Sequence, residues 1–138
     1  MKKYSVLLVD DDTTFSNIMK RKIERLSEGN ILVHCETSKD GAIQYLNKNS
    51  CVDLLIQDIA LLVGTEDKQG FDVAEQVKGN EKTKHIPIIF ITGVYQNLAD
   101  SRLQHGEGYF TKPFDSRQLL QKINSVLEET GEPVHVQL

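Results

Sequence analysis

Short apolar runs alternate with longer amphipathic stretches along almost the whole chain, and that alternation narrows the fold more than any other feature. Tyr4-Ser5-Val6-Leu7-Leu8-Val9 is apolar at nearly every position, as a strand buried on both faces must be. From about Thr14 to Ser27, Phe15, Ile18, Met19, Ile23 and Leu26 recur at spacings of three and four. That spacing is one helical face, so these side chains are expected to point at the core. Gly29-Asn30 then supplies ordinary helix-stop chemistry. The alternation continues with strand-like Ile31 to Cys35, helical Ser38 to Asn47 and strand-like Val52 to Gln57. A helix over Phe71 to Lys78 leads into His85 to Ile91, the strongest strand in the sequence. Leu98 to Gln104 has room for a short helix, Gly108 to Thr111 for a brief strand and Ser116 to Glu129 for a last amphipathic helix.

Strands that alternate with helices in this way imply right-handed crossovers and a parallel sheet covered on both faces. The fold class expected is therefore α/β, doubly wound, with five strands. One domain accounts for residues 1–129, leaving 130–138 as a tail or linker stub with Gly131 and Pro133. In open α/β sheets, ligands sit beyond the carboxyl ends of the strands. The polar residues that follow the strands are Asp10-Asp11-Asp12, Asp58, Thr92 and Lys112. Reactive groups thus gather at one edge.

Composition removes several other classes. Sixteen Lys and Arg against twenty Asp and Glu give a net charge of −4, which argues against direct nucleic-acid binding. No apolar run approaches the roughly 18 residues of a membrane helix, so membrane insertion is not expected. Cys35 and Cys51 cannot form a disulfide framework, and a cytoplasmic location follows as the expectation. His34, His85, His105 and His135 have no metal-ligand spacing among themselves or with either cysteine.

Four segments in order carry a resemblance: Leu7-Leu8-Val9-Asp10-Asp11-Asp12, Asp53-Leu54-Leu55-Ile56-Gln57-Asp58, Ile86-Pro87-Ile88-Ile89-Phe90-Ile91-Thr92-Gly93, and Gly108-Tyr109-Phe110-Thr111-Lys112-Pro113-Phe114. Over Lys2 to Glu129 the chain resembles the receiver domain of two-component response regulators, in particular the single-domain, chemotaxis-regulator type. The resemblance implies a flavodoxin-like sheet with strand order 2-1-3-4-5. It implies that Asp58 is the phosphoacceptor and that Asp10, Asp11, Asp58 and the Ala60 backbone carbonyl hold Mg²⁺, or Mn²⁺ in its place. Such a dication answers a physical need, since three carboxylates would repel a phosphoryl donor and one another. The resemblance also implies that Lys112 pairs with the phosphoryl oxygens, that Thr92 supplies a hydroxyl to them, and that Tyr109 is a switch residue. The Lys112–Pro113 peptide would be cis. The partners implied are a sensor histidine kinase or phosphotransfer protein and a downstream protein target whose identity the sequence does not give.

The chain departs from the family in three places. The stretch from Asp58 to Gly70 is longer than usual, and Leu61-Leu62 stands where Met-Pro is common. The segment from Thr92 to Tyr109 is shorter, which implies an abbreviated fourth helix. Ala60 and Val94 lie two residues beyond Asp58 and Thr92, positions that in the family influence attack of water on the acyl phosphate. Neither can position a water, so slow self-dephosphorylation is expected.

Two other readings compete. Asp10-Asp11-Asp12-Thr13-Thr14 fits the first motif of haloacid-dehalogenase-type phosphatases, with Asp10 as nucleophile, yet the acidic pair required after the lysine is missing. A pseudo-receiver that keeps the fold without phosphorylation is disfavoured because the whole acceptor set is present. The residues after Glu129 are too few for a DNA-binding module, so output is expected through protein contacts. The chain is expected to be a self-phosphorylating signalling switch, not a metabolic enzyme.

Overall fold

The computed structural model describes residues 3–49, 51–60, 69–93 and 101–130. Strands β1 (Tyr4–Val9), β2 (Ile31–Glu36), β3 (Leu54–Asp58), β4 (Ile88–Thr92) and β5 (Gly108–Thr111) form one parallel sheet in the order β2-β1-β3-β4-β5. Helices α1 (Thr13–Leu26), α2 (Lys39–Lys48), α3 (Gln69–Gly79) and α4 (Ser116–Thr130) cover it, and a 3-10 helix spans Ser101–His105.

Alternation along β1 distributes the core between two layers. Tyr4, Val6 and Leu8 pack with Met19 and Ile23 of α1 and with Leu119, Ile123 and Leu127 of α4. Leu7 and Val9 point the other way, towards Ala42 and Leu46 of α2 and Phe71, Ala74 and Val77 of α3. Both faces of the central strands are therefore dry, the cause of their unbroken apolar runs.

Local chemistry sets the ends of the elements. Asp12 caps α1, its carboxylate accepting from the Phe15 amide at 3.0 Å, and Ser38 caps α2 through the Gly41 amide at 3.0 Å. At the far end of α1, Glu28 adopts the left-handed φ +53° just past the Ser27 cap, its amide donating to the Arg25 carbonyl at 3.0 Å and the Gly29 amide to the Glu24 carbonyl at 2.9 Å, the bond pair of a Schellman cap. Strand β4 starts at Ile88, later than the apolar run beginning at His85 suggests. Pro87 has no amide to give the ladder, and the Ile86 amide turns back to the Thr83 carbonyl at 2.9 Å.

Ile18 corrects the sequence reading of α1, since it is 48% exposed while Phe15, Met19 and Ile23 face inward. The covered stripe is narrow, and position 18 lies about 100° around the helix from position 19. The short helix expected over Leu98–Gln104 is a 3-10 turn beginning at Ser101 where described. Leu98 itself, Val94, Leu61-Leu62, most of the polar loop after Asp58, and residues 131–138 lie outside the described residues.

Strand β2 is a sheet edge, and side chains of α1 and of its C-cap Ser27 bond the outward backbone at Ile31 and Val33. The ladder to β1 uses the carbonyls of Asn30 and Glu36, for example Asp10 N–H to Glu36 at 3.1 Å. The alternate residues point outward. There the Val33 amide donates to Glu24 Oε2 at 2.9 Å, the Val33 carbonyl accepts from Lys20 Nζ, and the Ile31 amide donates to Ser27 Oγ at 3.1 Å.

Candidate functional site

The carboxyl ends of β1, β3, β4 and β5 converge at one edge of the sheet, and parallel register carries their following residues there together. Asp10 follows β1 and is 0% exposed; its Oδ1 accepts the Asp12 amide at 2.9 Å. Asp58 is the last residue of β3 and is 4% exposed. Its Oδ1 accepts the Ala60 amide at 3.2 Å. Ligand oxygens of Asp10, Asp11 and Asp58 lie within 4.8 Å of one another.

Two contacts fix the end of β3. The buried Gln57 amide donates from Nε2 to the Asp58 carbonyl at 2.9 Å. Helix α3 begins directly against the strand, where the Gly70 amide donates to the Ile59 carbonyl at 2.9 Å. A Cβ at Gly70 would stand 2.0 Å from the Asp58 carbonyl oxygen, so only glycine permits this approach.

Lys112 arrives from β5. Its backbone amide donates to the Thr92 carbonyl at 2.7 Å, tying the β5 exit to the end of β4, where Thr92 is 0% exposed. The Lys112–Pro113 peptide is cis. The side chain reaches back across the edge, with Nζ 2.6 Å from Asp10 Oδ2 and 3.7 Å from Asp58 Oδ2. Nζ also lies over the Phe15 ring, 4.1 Å from its centre. Gly93 borders the lysine stem, and a Cβ there would make ordinary contact with Lys112 Cδ at 3.9 Å. Tyr109 pairs with Phe90 in the ladder and is half-buried against the α2 and α3 side of the core.

The electrostatics follow from this crowding. Burial, then the neighbouring Asp10 carboxylate, push the Asp58 carboxyl up to about 8, although Lys112 pulls the other way. One lysine does not neutralise three carboxylates. The surplus charge on clustered hard oxygens is what a divalent oxygen-seeking ion would balance, so the donor set fits Mg²⁺.

Every site residue expected from the sequence among the described residues is near this edge, with Asp10, Asp11, Asp58 and Lys112 in direct or near contact. Sequence reasoning assigned Phe15 only to the core; its spacing carries no sign of the ammonium group beside it. The sequence marks Gln57 only as part of a strand, and no local pattern signals its contact with the Asp58 carbonyl.

Comparison with known proteins agrees with the geometry. The family model described as "Response regulator receiver domain" matches residues 6–124. The chain is 33% identical over 131 residues to the uncharacterized transcriptional regulatory protein YbdJ of Bacillus subtilis, covering 93% of this chain and 52% of that one. It thus spans about half the length of that relative. Against chemotaxis protein CheY-3 of Vibrio cholerae it is 26% identical, covering 92% of this chain and 94% of that protein. The crystal structure of a CheY-like response regulator receiver domain protein from Methanospirillum hungatei superposes with a TM-score of 0.77 at 26% identity, covering 93% and 96% of the two chains. With the acidic cluster, the lysine and the 2-1-3-4-5 sheet in place, the chain belongs to the response regulator receiver domain family, the switches of two-component phosphorelay signalling.

Proposed function

We propose that Asp58 takes a phosphoryl group from a phosphohistidine on a sensor histidine kinase or phosphotransfer protein, and that this changes which protein the domain binds. The observation that carries the reading is the Lys112 ammonium standing 2.6 Å from Asp10 and 3.7 Å from Asp58 at the open edge of the sheet. A carboxylate oxygen of Asp58 bonds to phosphorus as the phosphorus–nitrogen bond of the donor breaks. The electron pair leaves with the imidazole. Lys112 and the Thr92 hydroxyl receive the transferred oxygens, and Tyr109 responds when Thr92 moves. Mg²⁺, or Mn²⁺ in its place, would supply charge balance and a clamp on the phosphoryl oxygens, held by Asp10, Asp11, Asp58 and the Ala60 carbonyl. Phosphorylation then acts by population shift between two states of the domain.

Residues 1–129 form the receiver unit in this reading, with 130–138 a tail or linker. The domain is a switch and not a metabolic enzyme, works in the cytoplasm and signals through protein contacts. Among the described residues no helix is long and apolar enough to cross a membrane. The phosphatase alternative needs Asp10 as nucleophile, but Asp10 is 0% exposed and both its oxygens are engaged, by the Asp12 amide and Lys112. Incubation with acetyl phosphate and Mg²⁺, then mapping of the modified residue, tests the proposal. Modification at Asp58, lost in Asp58→Asn, is expected; modification at Asp10, or none, would overturn it.

A further inference from the structure

Lysine side chains are long and flexible, yet Lys112 must hold its charge within reach of a group arriving at Asp58. Asp10 alone does not explain how, because a single ion pair restrains one distance and leaves the stem free to swing. A further contact comes from Phe15, whose ring centre is 4.1 Å from Nζ, within the range in which an aromatic face attracts an ammonium. The ring is itself held. Its own residue is tied into the first turn of α1 by the Asp12 cap at 3.0 Å. Phe114 packs edge-on against it at 6.0 Å between centroids, and Phe110 packs against Phe114 at 5.5 Å. Phe110 and Phe114 flank Lys112 in sequence, so the element carrying the lysine is bolted to the helix carrying its seat.

We propose that Phe15 is a positioning residue for phosphoryl uptake, its ring face holding the Lys112 ammonium poised between Asp10 and the acceptor carboxylate. The inference rests on the reading of Asp58 as phosphoacceptor and Lys112 as its cationic partner. An aromatic seat has a property that a third carboxylate would lack. It attracts the ammonium without competing for its protons, so Lys112 can turn its N–H groups from Asp10 to phosphoryl oxygens while staying on the ring.

The test needs the intact chain, Mg²⁺ and acetyl phosphate, which bypasses any kinase docking surface on α1. Phe15→Leu keeps apolar volume and removes the π-face; Phe15→Tyr keeps the face. Uptake in Phe15→Leu is expected to slow three- to tenfold, with Phe15→Tyr within twofold of the parent. A control change at exposed Ile18, Ile18→Ala, should leave the rate unchanged. A second readout requires no phosphoryl transfer: NMR of the Lys112 ε-methylene protons. In the parent they should be shifted upfield by the ring, and in Phe15→Leu that shift should vanish. An unshifted ε-methylene in the parent, or equal uptake rates for Phe15→Leu and the parent, would overturn the inference. A parent that takes up no phosphoryl group would instead defeat the underlying reading, so the two failures are distinguishable.

Discussion

Burial and the Asp10 carboxylate raise the Asp58 carboxyl from 3.8 to about 8, and the sign of the consequence is fixed. Between those pH values the folded protein keeps a proton that the unfolded chain has lost, so this group makes folding less favourable as pH rises through the window. Asp58→Asn should therefore stabilise the metal-free protein at pH 8 by about 1–3 kcal/mol and flatten the pH dependence, as urea titrations at several pH values will show. The same proton competes with Mg²⁺. Apparent Mg²⁺ affinity should rise with pH, by up to about tenfold per unit below 8, and level off above it. Metal titrations followed by thermal shift measure this directly. Two residues further on, Ala60 carries a methyl group where a polar side chain could order a water. The acyl phosphate should then decay over something on the order of hours, and Ala60→Asn should hasten it by about tenfold or more. Timed loss of the phosphoryl group by intact mass decides the matter.

Elements deliver these residues, and the junction of β3 with α3 is the tightest of the deliveries. Gly70→Ala places a carbon against the Asp58 carbonyl oxygen, so it should cost about 1–3 kcal/mol or more and lower phosphoryl uptake as the strand end shifts. Denaturant melts and uptake rates on the same sample check both. Strand ends were readable from the sequence because a parallel strand buried on two faces is written as an apolar run closed by a polar residue, as Val9-Asp10 and Ile91-Thr92 are. Helix faces were less readable. A stripe of spacings of three and four admitted Ile18 alongside Met19, and only packing decides which of two neighbouring rows meets the sheet. The start of β4 at Ile88 was hidden for another reason: hydrophobicity continues through Ile86 and Pro87, although of these two only the Pro87 carbonyl reaches the ladder, accepting from the Leu55 amide. Contacts between distant elements, such as Phe15 with Lys112 or Gln57 with the Asp58 carbonyl, leave no periodic trace and were legible only in three dimensions.

The whole molecule divides its labour between layers and edge. Two apolar clusters, one on each face of the sheet, provide the cohesion, whereas the acidic cluster contributes charge that opposes folding. A chelator should therefore abolish phosphoryl uptake while leaving a cooperative unfolding transition in place. Adding Mg²⁺ to a hundredfold excess over its Kd should raise the unfolding free energy by about 2.7 kcal/mol, measurable in paired melts. Along the β2 flank of the sheet, Lys20, Glu24 and Ser27 already bond outward backbone groups of Ile31 and Val33. A foreign strand laid along that margin would have to evict a helix's side chains before making its first bond. At Ile31 and Val33 this margin is thus guarded against β-augmentation by the same segment that packs the core.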